Sequence, residues 1–203
     1  MIADPLEPMH AKLRRMDKRR LIVAMTGATG AIYGVRLLEL LREAGVETHL
    51  VMSRWAVQTL AHETDYTREQ VEALADVVYN ANDQGAAISS GSFLTSGMII
   101  APCSMRSLGA IAHGVGEHLV HRAADVVIKE KRRLLLSVRE APLSEVHLEN
   151  MLRLARMGVV ISPPLPAFYT RPASIDEMVT QTCCRMLDAF DIHLAGTQRW
   201  KEG

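Results

Sequence analysis

Residues 20–34 read RLIVAMTGATGAIYG. Arg20–Thr26 is apolar enough for a buried strand, and the glycines after it open an amphipathic helix predicted over Gly30–Ala44. Glycine lets backbone N–H groups approach a ligand, and the first turn of a helix carries a partial positive charge. The stretch therefore predicts a parallel α/β domain whose first turn, Thr26–Gly34, holds a phosphate-bearing cofactor. A tight turn without a ligand is the alternative.

The rest of the chain repeats this alternation of short apolar runs and longer amphipathic segments. Further strands are predicted at Glu47–Met52, Val77–Tyr79, Gly97–Pro102, Leu134–Val138 and Gly158–Ser162. Further helices are predicted at Arg54–His62, Arg68–Ala75, Ser104–His113, Glu117–Lys131, Leu143–Met157 and Ser174–Phe190. The pattern has no internal repeat and no break in composition. It indicates a single domain with a doubly wound parallel sheet, a Rossmann- or flavodoxin-like α/β fold of three layers.

Composition and charge narrow the class of function. Of the 203 residues, 48% are hydrophobic, which is enough for one sizeable core. The 23 basic residues balance 23 acidic ones, which argues against a nucleic-acid binder. No stretch approaches the ~20 apolar residues that span a bilayer, so we expect no membrane association. Cys103, Cys183 and Cys184 fit neither a disulfide framework nor a zinc site, which favours a reducing, cytoplasmic setting and no metal.

Residues 1–19 are polar and basic, and the apolar run behind them, Leu21–Met25, is too short for a signal peptide. We favour a disordered extension, or a start at Met16, over a targeting tail. The chain is thus predicted to comprise an N-terminal extension, residues 1–19, and one domain, residues 20–203.

Ligands of such sheets bind beyond the carboxyl ends of the strands, so the turns there contain the candidate site. Ser53 and Arg54 stand where a nicotinamide-binding enzyme would carry an acidic residue, which disfavours that cofactor. They would suit a phosphate or a neutral hydrogen-bonding ligand, although a plain helix cap at Ser53 is an equal alternative. Ser104–Ser107 could bind an anionic or heterocyclic group, or merely cap a helix. Arg139 and Glu140 could bind a phosphate and handle protons, or form an ordinary surface ion pair.

Together these turns resemble the UbiX-type flavin prenyltransferases, within the homo-oligomeric flavin-containing decarboxylase-like superfamily, from about Arg20 to Trp200. The matching stretches, in order, are MTGATGAIYGVRLL, ETHLVMS, HETDY, ISSGSF, PCSM, RAADVVIKE, VREAPLSEVHLENM and PPLPAFYTRP. The resemblance implies an enzyme that transfers a dimethylallyl group from dimethylallyl monophosphate, or in some members the diphosphate, to N5 and C6 of reduced FMN. It also implies a homo-oligomer, commonly a dodecamer, without a metal. The prenylated FMN would serve a UbiD-type decarboxylase of ubiquinone synthesis or of phenolic-acid degradation.

The resemblance also implies roles for individual residues. Flavin contacts would fall on Gly27, Ala28, Thr29, Ser53, Ser104, Met105, Arg106, Ser107 and Arg139. The prenyl phosphate would meet Lys129, Arg139, Glu140, Tyr169 and Arg185. Catalytic roles would fall on Thr29, Glu63 and Glu140. These residue types suit the reaction, because departure of an allylic phosphate leaves negative charge that cations and hydroxyl donors stabilise, while a carboxylate can transfer a proton.

Two other functions remain open. The FMN-dependent cysteine decarboxylases share the fold, but their Pro-x-Met-Asn-x-x-Met-Trp clamp has no match in Pro163–Pro172. A non-catalytic flavin-carrying subunit of an aromatic-acid decarboxylase would not need the phosphate-binding cluster. The chain departs from the family at Thr29, where serine is common; the hydroxyl is kept, but the added methyl stiffens its rotamer.

Overall fold

The computed structural model describes residues 19–201. Within this range one all-parallel sheet has the strand order β3-β2-β1-β4-β5-β6. Its strands are β1 (Arg20–Met25), β2 (Glu47–Met52), β3 (Val77–Tyr79), β4 (Gly97–Cys103), β5 (Arg133–Val138) and β6 (Val160–Ile161). The helices are α1 (Ala31–Glu43), α2 (Arg54–Glu63), α3 (Arg68–Glu72), α4 (Met105–His113), α5 (Leu119–Lys129), α6 (Glu145–Arg156) and α7 (Ile175–Asp188). The predicted doubly wound parallel sheet is confirmed. The predicted extension, apart from Arg19, lies outside the described residues.

Helices cover both faces of the sheet, because successive side chains of its strands point to opposite faces and both sets are apolar. Leu21, Val23 and Met25 belong to the core shared with α1 and α7, and Ile22 and Ala24 to the core shared with α4 and α5. Buried on both sides, the central strands read as continuous apolar runs. None of the helices between residues 19 and 201 has the length and apolar character needed to cross a membrane.

Predicted boundaries agree with the structure to within two residues, except that α3, predicted over Arg68–Ala75, ends three residues earlier at Glu72. The strand β6 is also shorter than predicted. It spans two residues instead of Gly158–Ser162. Gly158 has a φ of 89° and belongs to the turn that ends α6. Pro163 and Pro164 follow at the other side and have no N–H for a ladder. Two short 3₁₀ turns, Ala87–Ser89 and Phe168–Thr170, were not predicted.

The strand order reverses between β1 and β4, which places a crevice at their carboxyl ends. Thr26 joins the two turns beside this crevice. Its backbone N–H and its hydroxyl both donate to the Pro102 carbonyl, at 3.1 and 2.9 Å. The same hydroxyl accepts a hydrogen bond from the Ser104 N–H at 2.8 Å. The buried Thr26 therefore holds the turns after β1 and β4 in a fixed relation.

Helix α1 lies close against the sheet at Gly34. A Cβ atom at this position would stand 2.7 Å from the Ala101 carbonyl oxygen and 2.7 Å from two side-chain atoms of Met25. The Ala101 carbonyl belongs to the backbone of the buried strand β4, so it cannot move away easily. The glycine is thus required by the close approach of helix and sheet.

We expect Gly34→Ala to destabilise the fold, although alanine normally stabilises a helix interior by about 1 kcal/mol over glycine. The added methyl would overpack the helix–sheet contact, at a cost of about 1–3 kcal/mol. Gly109 in α4 is the matched control, because a Cβ there would meet an Asn150 side-chain nitrogen at 3.5 Å, an ordinary contact. The urea midpoint should fall for Gly34→Ala and hold or rise for Gly109→Ala. Equal shifts in both variants would contradict the packing argument.

Candidate functional site

A cavity of about 330 Å³ opens at the carboxyl ends of β1, β2 and β4. Its lining comes from the turns that follow these three strands and from the segment that starts α5. The volume lies within the range of about 300–1,000 Å³ that is usual for small-molecule sites. The cavity also coincides with the point where the strand order reverses, which is where open parallel sheets bind ligands.

Two helices begin at this cavity. Ser53 Oγ accepts a hydrogen bond from the Ala56 N–H at 3.1 Å and caps α2. Ser104 Oγ accepts one from the Ser107 N–H at 3.3 Å and caps α4. Each helix N-terminus contributes a partial positive charge and open N–H donors. The arrangement therefore favours an anionic group, such as the phosphate of a nucleotide.

Arginine side chains add full positive charges to the same wall. Arg54 and Arg106 both line the cavity. The Arg106 guanidinium donates to the Glu117 carboxylate at 2.6 Å, but both side chains are largely exposed, so the pair binds weakly. An incoming phosphate can thus compete for Arg106 at little cost.

Two histidines complete the cavity wall. His121 is buried, its Nε2 lies 3.3 Å from Ser107 Oγ, and its ring stacks on His118 with 3.9 Å between centroids. Burial lowers the pKa of His121 to about 4, and the neighbouring His118 adds to the shift. Burial likewise lowers the pKa of His118. Both rings are neutral at pH 7. The sequence analysis missed this pair, whose one signal is two histidines three residues apart at a helix start.

The turn after β1 has a hydrogen-bond acceptor within the chain. Gly30 and Ala31, at the start of α1, donate their N–H groups to Glu63 Oε2 at 2.7 and 2.9 Å. A carboxylate of the chain itself therefore accepts from the first N–H donors of α1, and the phosphate role that the sequence assigns to this turn stays a prediction. Gly27 of this turn lines the cavity. A Cβ atom added at Gly27 would lie 2.3 Å from Trp55 Cβ, so a larger residue would clash there.

The remaining predicted flavin residues form two groups, one inside and one outside the cavity lining. Ser53, Ser104, Arg106 and Ser107 line the cavity together with Gly27. Ala28, Thr29 and Met105 lie in the same turns but outside the lining, and Thr29 is exposed. Arg139 is exposed at the carboxyl end of β5, and its N–H donates to the Cys103 carbonyl at 3.2 Å. Glu63, a predicted catalytic residue, caps α1 from the exposed end of α2.

The predicted prenyl-phosphate residues fall at opposite edges of the sheet. Arg139 and Glu140 follow β5 at its carboxyl end. Lys129 is the last residue of α5, shortly before β5 begins, and forms an ion pair with Glu130. Since β5 has six residues and a strand rises about 3.3 Å per residue, the two groups are on the order of 20 Å apart. One chain does not bring them together.

Tyr169 and Arg185 share a surface formed by the C-terminal segment. Tyr169 packs edge-on against Trp200, with ring centroids 5.4 Å apart. Arg199 binds the Asp188 carboxylate through two nitrogens at 2.6 and 3.0 Å, and Arg185 donates to it at 2.5 Å. Burial of Asp188 opposes its ionisation, but these bonds, led by Arg199, outweigh it and hold its pKa below the ordinary value.

A larger cavity of about 500 Å³ lies at the amino edge of the sheet, with a basic rim. Its arginines have structural partners: Arg19 donates to the carbonyls of Phe190 and Asp191, and Arg133 to that of Ala189. They satisfy carbonyls left open where α7 ends. Because ligands of parallel sheets bind at the carboxyl edge, the smaller cavity is the candidate site.

Thiols contribute no ready nucleophile to this site. Cys103 ends β4 beside the cavity, and burial raises the pKa of its thiol to about 12. Cys183 and Cys184 are buried in α7. Between residues 19 and 201, no three His, Cys, Asp or Glu side chains are grouped so that they could hold a metal ion. The polar groups of the cavity are thus hydroxyl, imidazole, guanidinium and backbone N–H, together with the Glu117 carboxylate that pairs with Arg106.

Comparison with known proteins shows the family of the chain. A family model described as Flavoprotein matches residues 9–197. The chain is 56% identical over 194 residues to a probable UbiX-like flavin prenyltransferase of Bacillus subtilis, with 95% of both proteins covered. It is 55% identical over 177 residues to the flavin prenyltransferase UbiX of Escherichia coli K12, covering 87% of this chain and 94% of that protein.

Solved structures lead to the same family. The structure of AnUbiX in complex with FMN and dimethylallyl pyrophosphate is 53% identical, with a TM-score of 0.90 over 92% of this chain and 99% of that one. A dodecameric FMN-dependent UbiX-like decarboxylase of Escherichia coli O157:H7 is 55% identical, with a TM-score of 0.88 over 90% and 99%. The FMN-dependent cysteine decarboxylase SpaF, 16% identical with a TM-score of 0.60, shares the fold alone. The chain therefore belongs to the family of UbiX-like flavin prenyltransferases.

Proposed function

We propose that this chain is a flavin prenyltransferase, which transfers a dimethylallyl group from dimethylallyl monophosphate to reduced FMN and yields prenylated FMN. The observation that carries the proposal is the cavity at the point where the strand order reverses. Two helix N-termini and two arginines meet there. Relatives that are more than half identical over nearly the whole chain bear this activity in their names. The diphosphate in the AnUbiX complex makes it the alternative donor.

The residues of the cavity fit FMN. Ser53 and Ser104 mark helix starts whose N–H groups suit a phosphate, and Arg54 and Arg106 balance its charge. Gly27 and Trp55 also line the cavity, so both a close backbone approach and an indole ring are available to the flavin ring. When bound, reduced FMN supplies nucleophilic atoms for alkylation at N5 and C6.

The protein groups proposed for the prenyl donor act on charge and protons. Breaking the allylic C–O bond leaves negative charge on the phosphate, and Lys129, Arg139 and Arg185 would stabilise it. Tyr169 would donate a hydrogen bond to a phosphate oxygen. Glu140, exposed beside Arg139, would pass a proton to the departing phosphate or remove the one at flavin C6. Thr29 and Glu63 stay proposed catalytic residues. Glu63 would act from the end of α2, where its carboxylate also accepts a hydrogen bond from the start of α1.

We propose further that neighbouring subunits complete the site. Lys129 lies at the amino edge of the sheet, and Arg139 at the carboxyl edge, so one phosphate can meet both if they come from different chains. Exposed apolar side chains support an oligomer: Val146, Leu152, Leu165, Phe168 and Ile175 are 52–79% exposed. Such surfaces mark protein interfaces. A dodecamer, as in the Escherichia coli O157:H7 relative, is the proposed assembly.

The wider setting follows from the product. We propose that the chain works in the cytoplasm, where its three free cysteines would stay reduced, and that a UbiD-type decarboxylase takes up the prenylated FMN. A cysteine decarboxylase is the weaker alternative, because such enzymes match the fold at low identity and their clamp is missing from Pro163–Pro172. A passive flavin carrier would have no need of the cations discussed above.

Anaerobic incubation with reduced FMN and dimethylallyl monophosphate should convert the flavin to a product heavier by one dimethylallyl unit. Mass spectrometry of the extracted flavin measures the change. A parallel reaction with the diphosphate shows which donor the enzyme uses. A reaction without any prenyl donor measures how much of the flavin changes on its own. Unchanged flavin with both donors would refute the proposed function.

Replacing Glu140 with glutamine should slow prenyl transfer by at least about 100-fold, because proton transfer by a placed carboxylate typically contributes about 10²–10⁴ to a rate. FMN should remain bound, since Glu140 lies outside the cavity lining. Glu43→Gln, at the exposed C-terminal end of α1, is the matched control and should keep wild-type turnover. Wild-type turnover in Glu140→Gln would remove this residue from the mechanism.

The shared site is tested by mixing two inactive variants. Lys129→Ala and Arg139→Ala oligomers should each lose most activity, because each lacks one cation at every site. After dissociation and joint reassembly, some sites would combine intact residues from both chains, and activity should partly return. Reassembly of each variant with itself is the control. Mixed oligomers no more active than their parents would show that the two residues do not act from different chains.

A further inference from the structure

We propose that His121 is a positioning residue for flavin binding, which acts by orienting the hydroxyl of Ser107 at the cavity wall. The inference rests on the proposed function, since it takes FMN as the ligand. His121 is 4% exposed, and its Nε2 lies 3.3 Å from Ser107 Oγ. Both residues line the cavity, and Ser107 is buried as well.

The hydrogen bonds around Ser107 leave one direction for its proton. The Ser104 hydroxyl donates to Ser107 Oγ at 3.2 Å, and its oxygen also accepts a hydrogen bond from the Ser107 N–H. If His121 Nε2 carries the ring proton, it donates to the same oxygen. A hydroxyl oxygen has two lone pairs, so both are then used and the Ser107 proton must find an acceptor elsewhere. The open side is the cavity, where the acceptor is an oxygen of the flavin nucleotide.

The surroundings of His121 favour this tautomer. Nδ1 of His121 is buried and has no hydrogen-bond partner within residues 19–201. Buried N–H donors without a partner are rarer than unpartnered acceptors, so Nδ1 carries the lone pair and Nε2 the proton. Stacking on His118 fixes the plane of the ring, and the lowered pKa of each imidazole keeps a single proton on it at neutral pH.

The contact predicts a measurable loss of affinity. Flavin-free protein is titrated with FMN, and quenching of flavin fluorescence gives Kd. His121→Leu should weaken FMN binding about tenfold, the range expected when one oriented hydrogen bond is lost. His121→Phe, of different shape, should do the same. His121→Gln, whose amide can still donate to Ser107, should bind FMN within about threefold of wild type.

A double-mutant cycle separates positioning from general damage. If His121 acts through Ser107, then His121→Leu should cost little further affinity in a Ser107→Ala background. His113→Phe is the matched control: it lies on the same helix as Ser107 and removes a 2.9 Å bond to the buried Asn150, away from the cavity. It should lower stability without changing Kd for FMN.

Riboflavin, which lacks the phosphate, identifies the acceptor. A loss in His121→Leu confined to FMN assigns the Ser107 proton to the phosphate, and an equal loss for both ligands assigns it to the ring or ribityl chain; either supports the inference. Unchanged FMN affinity in His121→Leu and His121→Phe, or additive effects with Ser107→Ala, would overturn it while leaving the proposed function intact. If neither variant folds, His121 is a core residue and positioning is refuted. Wild-type protein that does not bind FMN would refute the proposed function too.

Discussion

The site depends on one buried side chain, Thr26, which bonds the turn after β1 to the turn after β4. Doubly wound sheets open a crevice where the strand order reverses, but an open crevice with loose turns would not hold a ligand in one pose. Here the Pro102 carbonyl and the Ser104 N–H are both bound by Thr26. Ser104 in turn starts α4 and supports Ser107. Together with the pairing of β1 and β4, this threonine therefore fixes the turn after β1 relative to the turn after β4.

Helix termini determine where negative charge can reside. Three helices begin at the carboxyl edge near β1, β2 and β4, and each offers N–H donors. The chain neutralises one of them itself, since Glu63 binds the start of α1. Two remain at the cavity, at Ser53 and Ser104. Because the Glu63 carboxylate covers the start of α1, the helix starts that remain open favour an external anion between α2 and α4.

The division of charged groups between the two ends of the strands is the reason for proposing a prenyl-transfer site that two subunits share. Arg139 and Glu140 belong to the carboxyl edge, whereas Lys129 lies beyond the amino end of the same strand. The C-terminal segment holds Tyr169 and Arg185 on a third surface through Trp200 and Asp188. Apolar side chains left exposed on α6 and near the 3₁₀ turn Phe168–Thr170 provide surfaces on which further copies could pack. Chemistry and assembly are thus expected to be inseparable.

The sequence by itself determined the layer order, the strand positions and the turns that carry polar groups, because apolar periodicity and glycine placement are local properties. It also indicated Ser53 and Ser104, which follow strands directly, and Ser107 in the first turn of α4. Only the tertiary structure decided which N–H donors stay open, since the Glu63 carboxylate reaches α1 across more than thirty residues. It likewise revealed the His118–His121 stack and placed Lys129 away from Arg139. Contacts between distant segments depend on how elements pack, and a linear pattern contains no such information.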